Sequence, residues 1–351
     1  MPISGLGPHG ERASSPQRVA LSPADVEAVR ARGFRVGIVM HTLESDWASQ
    51  QVQGLAGTLG DCGVAVIEVA DCGFSPEAQI AALDRLIGQR PDAVISLPVA
   101  NAAVAEAHAR VAQAGIALVL LDNVPTGLLP GKDYAALVSA DNFGLGSIAA
   151  ELLAPHLPEG AELGILGYDA DFYATNEREI AFAQWMRRHR PDTAIRIARF
   201  ASIGAAGETA LALQAAHPDL AGLFVVWDTP AQEALAALAR RGWRAPVTTV
   251  DLGRDAALGL ARGGPVVGVA AQQPHAQAVA AAQTAVIAML GQLVPEWVAL
   301  PGLAVTRANV LEGFQIVWRS PAPRAVVAGL DLEPTEAEAG LTDPASATTA
   351  D

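Results

Sequence analysis

The sequence predicts an α/β protein built as two doubly wound, Rossmann-like lobes. Three observations predict it. From Phe34 onward, apolar runs of strand length alternate strictly with amphipathic runs of helix length. The apolar runs are nearly continuous rather than alternating, as expected when helices cover both faces of a parallel sheet. The alternation runs twice, with a break near residues 137–141, and 351 residues are enough for two such domains.

The elements follow in order. Ser22 and Pro23 open a short helix, as N-cap and first helical residue. Residues 34–41, 64–70, 92–98 and 116–122 read as strands, and residues 47–59, 76–87 and 104–114 as helices between them. The second series has strands at 162–168, 194–200, 222–228, 246–252 and 266–272. Its helices start near Gly144, Thr175, Ala206, Pro230, Asp255 and Pro274. Residues 1–33 form a leader, disordered over its Gly-, Pro- and Ser-rich first part, and residues 321–351 form a disordered tail rich in Pro, Ala, Thr and acids. Trp185, Trp243, Trp297 and Trp318 are assigned to the core.

Composition narrows the function. The formal net charge is −14, which repels phosphate backbones and anionic lipid, so no nucleic-acid partner is expected. Cys62 and Cys72 flank one strand and lie too far apart along it to pair. The first twenty residues show no apolar signal-peptide core. Gly5-x-Gly7-x-x-Gly10 matches the dinucleotide fingerprint by letters but follows no strand. His41 and Glu44 lack a third clustered ligand, so no metal is expected, nor any cofactor. No nucleophile with an adjacent base is visible, so the chain is not read as an enzyme.

Open α/β sheets bind ligands at the carboxyl ends of their strands. Those ends carry Ser45, Asp46 and Trp47, then Asp122 and Asn123, in the first series. In the second they carry Asp171 and Phe172, Trp227, Asp251 and Gln272. Carboxylates and amides satisfy sugar hydroxyls, which both donate and accept, and aromatic rings cover the apolar C–H faces. Asp228 reads as either a helix cap or a site residue.

Taken together, these segments resemble the type I periplasmic binding proteins, in the ribose-binding branch. The resemblance spans about residues 34–318 and rests on order and spacing: the Glu44-Ser45-Asp46-Trp47 segment, PDAVISLP, LLDNVP, VSADNFGLG, DADFYATNERE, FVVWDTPA, TTVDLG and VAAQQPHAQAV. It implies lobes of residues 34–140 with 273–302 and 141–272 with 303–320, joined by three crossovers near 140–142, 272–274 and 300–303. It implies ligand contacts at Ser45, Trp47, Asp122, Trp227, Asp251 and Gln272. The family's two basic positions fall on Asn123 and near Asn176, so the pocket is expected to lack guanidinium donors and to favour a neutral monosaccharide or sugar alcohol over ribose. The implied role is the periplasmic, monomeric solute-binding protein of an ABC-type sugar importer, docking its permease in the closed form. The alternative is a sugar-sensing module of a signalling or LacI-like regulatory system without its own DNA-binding domain.

Overall fold

The computed structural model describes residues 3–331. The first lobe runs through α1 (Pro23–Arg32), β1 (Arg35–Met40), α2 (Asp46–Asp61), β2 (Ala65–Asp71), α3 (Pro76–Gln89), β3 (Ala93–Ser96), α4 (Ala105–Gln113), β4 (Ala117–Leu121) and β5 (Ala136–Ala140). The chain then crosses into the second lobe. That lobe holds α5 (Asn142–Leu153), β6 (Glu162–Tyr168), α6 (Tyr173–His189), β7 (Ala194–Phe200), α7 (Ala206–Ala216), β8 (Leu220–Val225), α8 (Asp228–Ala239), β9 (Val247–Val250), α9 (Arg254–Arg262) and β10 (Val266–Ala271). It returns through α10 (Pro274–Met289) and β11 (Trp297–Leu300) and crosses once more into β12 (Leu303–Val305), α11 (Val310–Trp318) and α12 (Arg324–Leu330).

The first sheet has the order β11-β5-β4-β3-β1-β2 and the second β12-β10-β9-β8-β6-β7. All neighbours are parallel except β12, which is antiparallel to β10. The three crossovers therefore all leave at one edge of each sheet, beside β5 and β11 in one lobe and β10 and β12 in the other. Each sheet is buried on both faces by helices, which explains the unbroken apolar strands. Close helix packing completes the layers. A Cβ on Gly54 of α2 would lie 2.6 Å from the Ala278 Cβ of α10, and one on Gly146 of α5 would lie 2.2 Å from the Arg178 carbonyl oxygen of α6. Only glycine allows either approach.

Ser22 caps α1 in a reciprocal capping box with Asp25. Cys62 and Cys72 are both free and buried. Two expectations of disorder are corrected. The leader packs along the first lobe, where the Ser14 N–H donates to the Trp297 carbonyl at 2.9 Å and the Ala299 N–H to the Ser14 carbonyl at 3.0 Å. It satisfies backbone groups that the free edge of β11 would otherwise leave unpaired. Ser4 and Gly5 donate their N–H groups to the Asp141 carboxylate at the first crossover, at 2.7 and 3.0 Å. At the other end, residues 324–330 of the expected tail form α12, whose buried Val326 joins the α9 and α11 core. Residues 332–351 of that tail lie outside the described residues.

Candidate functional site

The strand ends of both lobes face each other across a cleft of about 610 Å³. Its centre rests on a matched pair. Asp122 follows β4 and Asp251 follows β9, and these strands hold the same position in their sheets. Each aspartate N–H donates to the adjacent hinge-side strand, Asp122 to Val138 and Asp251 to Ala270, both at 3.2 Å. Both backbones are left-handed, with φ of 51° and 73°. Aspartate tolerates this conformation better than most residues, but it remains uncommon, and such strain gathers at binding sites.

Arg178 of α6 lies between the lobes, only 4% exposed. Its Nε donates to Asn142 Oδ1 at 2.9 Å and its Nη1 to the Val226 carbonyl at 3.0 Å. The guanidinium lowers the carboxyl pKa of both Asp122 and Asp251, but burial outweighs it. Burial is the main cause that pushes Asp122 up to about 6, and it raises Asp251 as well. Asp228, the first residue of α8, is pushed up to about 7, first by burial and then by repulsion from Asp251. It accepts the Gly253 N–H at 2.9 Å. Gln272 donates to Asp251 Oδ1 at 2.6 Å, and its Oε1 is buried without a partner among the described residues.

Side-chain hydrogen bonds also join the two lobes. Asp46, at the start of α2, accepts the Arg254 N–H at 3.0 Å and its Nη1 at 2.8 Å from the start of α9. The Arg254 guanidinium in turn lies 4.3 Å from the Trp318 ring centre. Asn123 Oδ1 accepts the Tyr173 N–H at 3.1 Å.

Of the residues singled out from the sequence, Ser45, Asp46, Trp47, Asp122, Phe172, Trp227, Asp251 and Gln272 line the cleft. Three do not. Asn123 is buried between the Pro98 carbonyl and the Tyr173 amide, so it joins the lobes and does not face the cavity. Asp171 and Asn176 bond each other at 3.1 Å on the surface. The expected absence of guanidinium donors is also corrected, because Arg178 and Arg254 both line the cleft. The signal was available: Thr175 and Arg178 are three residues apart on one helix face, and both line the cleft. Asp228 lines the cleft, and its side chain does not cap α8. Trp318 is half-buried and supports Arg254.

A periplasmic binding protein domain matches residues 36–293. The chain belongs to the periplasmic binding protein family. Its fold is shared with an ABC transporter solute-binding protein of Mycobacterium smegmatis holding glycerol, at 23% identity over 79% of this chain and 96% of that one, with a TM-score of 0.73. A solute-binding protein of Agrobacterium vitis bound to α-D-tagatopyranose matches at 20% identity, over 83% and 100% of the two chains, with a TM-score of 0.74. Another from Agrobacterium vitis, with bound allitol, matches at 23% identity, over 80% and 97%, with a TM-score of 0.69. No curated protein matches the chain. Among the described residues, no cluster of His, Cys, Asp or Glu could hold a metal, and no helix is long and apolar enough to cross a membrane.

Proposed function

We propose that the chain is the solute-binding protein of an ABC-type sugar importer and holds a neutral monosaccharide or sugar alcohol between its lobes. One observation carries the reading: Asp122 and Asp251 converge on the cleft from matching strand ends of opposite lobes, with Arg178 beside both. Carboxylates accept hydroxyl protons and the guanidinium donates to hydroxyl oxygens, so the trio suits a ring bearing several adjacent hydroxyls. Trp47 and Phe172 line the same space and supply apolar faces for its C–H groups.

Charge supports a neutral ligand. Asp122, Asp228 and Asp251 outnumber Arg178 at the cleft floor, and Arg254 is already engaged by Asp46. A sugar phosphate or sugar acid would add a further negative charge to this set. The structural relatives with bound glycerol, tagatose and allitol support the ligand class. The crossovers serve as a hinge, the monomer closes on its ligand, and the closed form docks a membrane permease from the periplasm.

A thermal-shift screen over pentoses, hexoses and polyols tests this. At least one raises the melting temperature of the wild type, and Asp251→Ala abolishes that rise. A screen without a responder, or an equal rise in the variant, overturns the reading.

A further inference from the structure

The cleft is polar at one end and apolar at the other, and the sheet orders set which end is which. Asp122, Asp251 and Gln272 follow β4, β9 and β10, so two carboxylates and an amide gather toward the hinge edge of both sheets, and Asp228 follows β8, one strand farther out and level with β3. Toward the opposite edge the lining changes character. The first lobe there presents His41 after β1, Phe74 after β2 and Val99 beyond β3. The second presents Tyr168 at the end of β6 and Ile203 beyond β7.

These side chains form a built wall. The His41 ring meets Phe74 edge-on, with centroids 4.9 Å apart, and meets Trp47 at 5.7 Å. Burial holds the imidazole neutral, its pKa lowered to about 4. Across the cleft Tyr168 packs edge-on against Trp227 at 5.3 Å. Phe74 is held with φ at 59° by a 2.7 Å bond from its N–H to the His41 carbonyl. A bulky residue in that backbone region is strained, and the strain sets its ring into the cleft lining.

Volume points the same way. A hexose has about twelve non-hydrogen atoms, and even at a liquid water's share of ~30 Å³ each it fills about 360 Å³. The cavity is about 610 Å³ with the lobes already bridged by Asp46 and Arg254. Space for a second, ring-sized group remains in the cleft, whose lining away from the carboxylates includes Phe74, Val99, Tyr168 and Ile203. Glu44 and Glu233 also line the cleft and are exposed.

We infer that the outer half of the cleft is an aglycone subsite, and that the ligand is a glycoside: a sugar held at the hinge end by Asp122, Arg178 and Asp251, with an apolar or aromatic substituent between Phe74 and Ile203. This rests on the sugar-binding reading above. The polar end recognises hydroxyl stereochemistry, and the apolar end adds affinity through burial of a group that brings no unpaired polar atoms.

Calorimetric titration tests it, with free glucose, galactose, xylose, arabinose and fucose, their methyl glycosides, and both anomers of their 4-nitrophenyl glycosides. For the sugar that is recognised, one 4-nitrophenyl anomer binds at least about 10-fold tighter than the free sugar, with the methyl glycoside between them. Phe74→Ala and Ile203→Ser each remove most of that gain and weaken the free sugar far less. Thermal unfolding of the unliganded variants verifies that they fold. A free sugar that binds as tightly as its aryl glycosides, or a gain that survives both variants, overturns the subsite while leaving sugar binding intact. If neither free sugars nor glycosides bind, the sugar-binding reading falls, and the subsite with it.

Discussion

Replacing Asp228 with Asn separates the stability of the empty protein from its capacity to bind. Burial and the neighbouring Asp251 raise this carboxyl from 3.8 to about 7. The folded protein therefore keeps a proton on Asp228 at pH values where the unfolded chain has already released it. Stability contributed by that proton is full below about pH 4, falls as the pH rises toward 7, and stays lost above. At about 1.4 kcal/mol per pH unit the whole window is worth about 4 kcal/mol. The side chain opens onto the cleft, where water screens it, so about 1–3 kcal/mol is expected. Asparagine has nearly the same shape and can still accept the Gly253 N–H, but it never carries the charge. Urea unfolding of the empty protein at pH 5 and pH 8 reads the difference. Asp228→Asn should be the more stable protein at pH 8 by about 1–3 kcal/mol, with the advantage shrinking toward pH 5. The same variant should bind ligand more weakly at pH 8, because it lacks the anionic acceptor. A variant less stable than wild type at pH 8, or one with an unchanged pH slope, would refute the assigned environment of Asp228.

Three other perturbations follow from the geometry. Arg178→Lys cannot hold the Asn142 and Val226 bonds and serve a ligand at once. Losing a charge-assisted bond of about 1.5–3 kcal/mol should weaken affinity about 10- to 150-fold in calorimetry. Gly146→Ala drives a Cβ into the Arg178 carbonyl, pushing α6 off α5. Chemical unfolding should register a loss of about 1–3 kcal/mol, with weaker binding because Arg178 moves. Asp46→Asn removes the ion pair between the lobes. The pair is partly exposed, so it contributes no more than about 1 kcal/mol. Affinity should fall by about 5-fold or less, and X-ray scattering of the empty variant should show a larger radius of gyration.

The sequence was most informative where one physical rule acted alone. Strands buried on both faces announce themselves as unbroken apolar runs, and β1–β4 and β6–β10 fall on the runs read as strands, whereas β5 at residues 136–140 falls on the break read between the two series. The short strands β11 and β12 were legible only as a crossover, because four and three residues carry no period. The Gly- and Pro-rich leader looked disordered because its order comes from pairing with β11, a contact between residues far apart in the chain. At the site, strand ends gave Asp122, Asp251 and Gln272 directly, since the residue after a parallel strand must enter the cleft. Arg178 and Asn176 show where that rule stops. Both lie on α6, and only the helical phase decides that one reaches the cleft while the other bonds Asp171 outside it. Asp228 stayed ambiguous because a strand-end aspartate before a helix suits capping and binding equally well.

Calorimetric titration of the wild type, Asp122→Ala and Asp251→Ala with the best-responding sugar or polyol tests the central claim most directly. The account predicts one molecule bound per chain by the wild type, and affinity reduced at least about 10-fold in each variant, because the ligand lies between carboxylates of opposite lobes. Wild-type affinity retained in both variants, or no binding heat from any neutral sugar or polyol, would contradict it.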